Sequence, residues 1–153
     1  MTLSETPGSL NQIRRAAPKF QRTFATPLDD LQRFVAAIVC AGQIEGGCLT
    51  VDQVVLEPVH LIDLLKHYSL PPQYGRGLSL IAACQDEVKA LLHAAFSDSI
   101  DFLFIPKPKP FTMYADHDEF TTFYAHTRSQ LNRIAKVLSD QGVKTIQNYE
   151  RRL

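Results

Sequence analysis

The chain has no tryptophan, only three cysteines and no apolar run near the ~18 residues that a membrane-spanning helix requires. No membrane span is expected. Cys40, Cys48 and Cys84 show neither CxxC spacing nor a neighbouring histidine pair, which excludes a local zinc site and a disulfide framework. Cys40 lies in VAAIVCAG and Cys84 in LIAACQDEV, apolar contexts in which cysteine behaves as a small hydrophobe. The thiols are therefore expected to be reduced and mostly buried, and the compartment cytoplasmic. The sequence also lacks GxSxG, HExxH, the P-loop pattern and GxGxxG. This removes the local signatures of hydrolase, metalloprotease, nucleotide and dinucleotide sites. No cofactor or metal is expected.

Charge of one sign is missing as well. Lys and Arg number 16 and Asp and Glu 16, so the whole molecule offers no field to steer it to nucleic acid or membrane. The charge is nevertheless segregated, with residues 1–26 at +3, residues 27–99 at −5 and residues 100–153 at +2. Complementary packing of these regions is the simplest explanation.

What is present is the composition of one packed domain, with 45% hydrophobic and 21% charged residues in 153. Residues 1–26 read as an N-terminal arm. Its Arg14, Arg15, Lys19 and Arg22 loosely resemble an organelle transit peptide in composition, but Pro7, Pro18 and Pro27 interrupt any long helix. Residues 27–153 read as a single α+β domain, helical over about 27–96 and sheet-containing over about 100–153.

Thr26-Pro27 followed by two aspartates opens a helix over 27–41 with Leu31, Phe34, Val35 and Ile38 on one face, and Gly42 closes it. Val51, Val54 and Val55 suit a strand as well as a short helix. Leu61, Leu64, Leu65 and Tyr68 form the stripe of a second helix, and Ser79 begins a third to about 96. Ile100–Ile105 and Phe111–Tyr114 read as strands flanking the Pro106–Pro110 loop. Asp116 with Glu119 then forms a capping box for a long helix to about Gln141, with Phe120, Phe123, Tyr124 and Leu131 along it, and Val143–Tyr149 forms a last strand. The expected plan is N-terminal helices followed by a β-β-α-β unit, with a small sheet covered by the long C-terminal helix.

Four groups of residues are candidates for function. Asp116, His117 and Glu119 carry acid–base and metal-ligand chemistry, but adjacent helix positions diverge by about 100° each, so capping is the plainer role. Gly75, Arg76 and Gly77 ahead of a helix have the ingredients of an anion site, and equally of a turn that needs positive φ. Lys107 and Lys109 in Pro-Lys-Pro-Lys-Pro project from a stiff loop, which suits either a contact surface or protection of a strand edge. Arg128 and Lys136 lie beside the apolar stripe of the last helix, and with Lys107, Lys109, Arg151 and Arg152 they are candidates for a basic C-terminal face.

These features point to a small, non-enzymatic binding or regulatory protein that acts by protein–protein contact, a role an inhibitor or immunity-type protein would fill. Two alternatives stay open. One is nucleic-acid binding through the basic face, and the other is an enzyme whose site assembles in space near Asp116–Glu119.

Overall fold

The computed structural model describes residues 1–4, 11 and 18–152. Along the chain lie β1 (Thr2–Leu3), β2 (Phe20–Ala25), a 3-10 turn (Leu28–Asp30) leading into α1 (Leu31–Gly42), and β3 (Gly46–Gln53). There follow α2 (Val59–His67), β4 (Ser79–Ala82), α3 (Gln85–Ser97), β5 (Asp101–Lys107), β6 (Thr112–Ala115), β7 (Phe120–Ala125), α4 (Arg128–Asp140) and β8 (Thr145–Ile146). The eight strands make one open sheet in the order β1-β4-β3-β5-β6-β7-β2-β8, every neighbouring pair antiparallel.

Alternation along the strands sorts the side chains to two faces. Leu49, Val51, Leu80, Phe102, Phe104, Met113 and Phe123 point to one face and are buried in the same core as the inward stripes of the helices. On that face α3 packs on β3 and β4, α4 packs on β2 and β7, and α1 lies between α3 and α4. Edge-to-face aromatic pairs run through the layer, Phe34 to Phe96 at 5.5 Å, Phe96 to Phe102 at 5.1 Å and Phe111 to Phe123 at 5.2 Å. Such pairs contribute ~0.5–1.5 kcal/mol each beyond burial. Gly47 permits the close approach of this layer, because a Cβ there would stand 2.6 Å from the Phe104 ring.

The fold is mixed α and β, but its order differs from the expected one. Strands precede the helices, because residues 2–3 and 20–25 pair into the sheet. The remainder of the N-terminal segment read as an arm, residues 5–10 and 12–17, lies outside the described residues, Arg14 and Arg15 included. Ser79–Ala82 is a strand and not the start of a helix. Leu80 and Ala82 face the core while Ser79 and Ile81 face away, and the helix begins only at Gln85.

The largest correction concerns Phe120–Ala125, a strand and not part of the last helix. Its aromatic and β-branched residues alternate, with Phe123 and Ala125 in the helix-side core and Tyr124 on the other face. Asp116 and Glu119 therefore shape a hairpin turn. Asp116 Oδ1 accepts from Phe120 N–H at 3.0 Å and Glu119 adopts φ 65°. The helix cap is Thr127, whose Oγ1 accepts from Gln130 N–H at 3.2 Å. Cys40 and Cys84 are exposed, Cys40 on the outer side of α1 and Cys84 at the N-cap of α3, so the expected burial is overturned.

Candidate functional site

The three residues singled out for acid–base chemistry do not converge. Asp116 is buried, its side chain 3% exposed, and its carboxylate pairs with the Arg151 guanidinium. His117 turns the other way. Asp101 Oδ1 accepts from the His117 backbone N–H at 2.7 Å and contacts its Nδ1 at 2.8 Å, and this hydrogen bond and charge raise the imidazole pKa above its ordinary value. Glu119 is exposed at the turn. A second aspartate does the same work for His60: Asp98 accepts from the N–H groups of His60 at 3.1 Å and Leu61 at 2.7 Å, capping α2 from the far end of α3. Among the described residues, no three His, Cys, Asp or Glu side chains gather as a metal-binding group.

The sheet face away from the helices carries a polar network that no local motif announces. Residues after β8 fold back across it, and Arg151 is their anchor. Its guanidinium lies 4.5 Å from the Tyr114 ring centre, its N–H donates to Gln21 Oε1 at 2.9 Å, and its carbonyl accepts from the Gln21 amide and the Tyr124 hydroxyl. Tyr149 meets the Phe120 ring edge-on at 5.1 Å. The Tyr114 hydroxyl donates to Asp52 Oδ2 at 2.8 Å, and Asp52 in turn holds Arg76 Nε at 3.2 Å. Burial, then the bond to Asp52, raises the Tyr114 pKa well above the usual phenol range.

Arg76 and Asp52 form one wall of a cleft of about 820 Å³ whose other sides are Val54, Val55, Leu56 and Tyr74. The element that follows Gly75, Arg76 and Gly77 is the strand β4 and not the expected helix. Gly75 and Gly77 instead carry the positive φ of a turn, 154° and 89°, and Arg76 is committed to a carboxylate. The cleft is unusual in its apolar exposure, with Leu56 at 68% and Tyr74 at 46% while the core beneath is closed. Sequence reasoning passed over both residues. The one available signal was that the apolar run Val54-Val55-Leu56 outlasts the strand.

Of the basic residues, Lys107 and Lys109 are exposed at the end of β5 and in the following loop. Arg128 lies over the Phe20 ring at 5.3 Å, and Lys136 pairs with Asp140 at 2.8 Å further along α4. Lys136 is thus drawn away from the others.

Fold and site together define a two-layer α/β domain with an antiparallel open sheet, a partly strapped outer face and a cleft at one end of its strands. No protein-family model, no curated protein and no solved structure is significantly similar to this chain.

Proposed function

We propose that this chain is a non-enzymatic binding or regulatory protein that acts by protein–protein contact, with the Val55–Leu56–Tyr74–Arg76 cleft as its contact surface. The observation that carries the reading is the exposure of Leu56 and Tyr74 around a concave surface whose wall is an Asp52–Arg76 ion pair. Tyrosine and arginine are the residue types that dominate binding energy at interfaces, and apolar anchors beside them lose their water on docking. Asp116 is taken up by the Arg151 ion pair and His117 by Asp101, so the residues of that turn do not form a joint acid–base site.

A photoreactive amino acid placed at position 56 in the native cell identifies the partner, and the purified pair then gives an affinity. The double variant Leu56→Asp, Tyr74→Ala is expected to weaken that affinity by at least ~10-fold while the melting temperature stays close to the parent's, since a pair of interface anchors is worth ~2 kcal/mol or more. Unchanged affinity for every partner recovered in this way rules the reading out.

A further inference from the structure

Four cationic side chains and one histidine, distant in sequence, lie at the strand ends opposite the cleft. Lys19 immediately precedes β2, Lys107 ends β5, Lys109 follows in the proline loop, His126 follows β7 and Arg128 opens α4. Register brings them together: Phe20 pairs with Ala125 across β2 and β7, and Pro18, Lys109, Pro110 and His126 line a single small crevice. Arg128 reaches the same place by stacking on Phe20.

The opposite strand ends hold Asp52, Asp101, Asp116 and Asp118 in a different condition. There the carboxylates are met by basic groups, Arg76 on Asp52, Arg151 on Asp116, and the His117 ring beside Asp101 and Asp118. Lys19, Lys107 and Lys109 have no ion-pair partner among the described residues. Glu45 adjoins Lys107, its backbone N–H bonding the Lys107 carbonyl at 2.8 Å, but its carboxylate forms no ion pair with these lysines. A chain of zero net charge therefore presents one end of its sheet as a surface of lysines without ion pairs, part of it on the loop after β5 that carries Pro108 and Pro110.

We propose that this end is a second contact surface, which takes an acidic segment of a protein partner. The inference rests on the reading of the chain as a protein-contact module but uses a different surface. Charge complementarity selects the ligand class, and the stiff loop keeps the ordering cost of binding low. A protein is favoured over a single-stranded nucleic acid because the rings at this end are not free to stack on bases. Phe111 and Tyr124 are buried and Phe20 already carries Arg128.

The test is an amide-shift titration of the full chain at low salt with a short glutamate-rich peptide, its lysine-rich counterpart and oligothymidylate. The expected result is that the glutamate peptide shifts Lys19, Lys107, Lys109, His126 and Arg128, leaves the exposed cations Lys66 and Arg133 unmoved, and binds ~10-fold more weakly to Lys107→Glu, Lys109→Glu, a factor equal to ~1.4 kcal/mol. Equal or stronger shifts of the same amides by oligothymidylate overturn the assignment in favour of nucleic acid. No shift, or shifts spread over all surface cations, overturn it outright. A partner that crosslinks at Leu56 while this end stays silent removes this proposal and leaves the cleft reading standing.

Discussion

Two aspartates three residues apart do work that sequence patterns assign to neighbours in the chain. Asp98 and Asp101 lie at the junction of α3 and β5, and each accepts the backbone N–H and meets the imidazole of a histidine far along the sequence, His60 and His117. Removing the Asp98 carboxylate leaves the buried Leu61 N–H without its acceptor and uncaps α2. Asp98→Ala is therefore expected to cost ~1–3 kcal/mol, read as a lower urea midpoint at unchanged slope. The pH dependence of His117 has a definite sign. Its pKa is raised in the folded chain by the hydrogen bond and charge of Asp101, so the stabilisation is complete below the unfolded value near ~6.5 and is lost as pH rises through the folded value. Melting temperatures measured from mildly acidic to mildly alkaline pH are expected to decline more steeply for the parent than for His117→Gln. Parallel curves would assign the decline to other groups.

At the scale of elements, the apolar stripes of α1, α2 and α4 and the strands β5 and β6 were legible because each carries an unambiguous period or a β-branched or aromatic run next to the Pro106–Pro110 segment. The segment from Asp116 to Gln130 was not. It contains two similar boxes, Asp116-x-x-Glu119 and Thr127-x-x-Gln130, and only the second caps a helix. What separates them is the alternation of Phe120-Thr-Thr-Phe-Tyr between the two, which belongs to a strand that can close a ladder on both sides. Local capping energy is ~1 kcal/mol, too small to outweigh the pairing of a whole strand. The candidate site was legible only in fragments, since Tyr114, Asp52, Arg76 and Arg151 meet through register and not through spacing. The two boxes give different outcomes on mutation. Thr127→Ala removes one cap bond and is expected to cost ~0.5–2 kcal/mol. Asp116→Ala breaks the turn and strands the largely buried Arg151 charge, so its cost in a denaturant titration is expected to exceed that of Thr127→Ala and to approach ~3 kcal/mol.

At the scale of the whole molecule, a sheet with helices on one face must still dispose of the other. Here the β6-β7-β2 part of that face bears Tyr114 and Tyr124, both 4% exposed, under the residues that follow β8. Burying a large side chain is worth ~1.5–3 kcal/mol, so the cover contributes an amount comparable to the usual margin of a folded domain. Deleting residues 147–153 removes Arg151 from Tyr114 and Tyr149 from Phe120, and returns both tyrosines to water. Three consequences are expected together. The melting temperature falls, and light scattering shows association through the uncovered face. The Tyr124 phenol, whose pKa burial and then Tyr149 raise, titrates closer to its ordinary value near 10 in an ultraviolet absorbance titration. A truncated chain that stays monomeric, melts with the parent and keeps its high tyrosine titration would mean that the face is closed by something other than this segment. The Asp52–Arg76 wall of the cleft would then be independent of Arg151, although Tyr114 bonds Asp52 through its hydroxyl and lies under the Arg151 guanidinium.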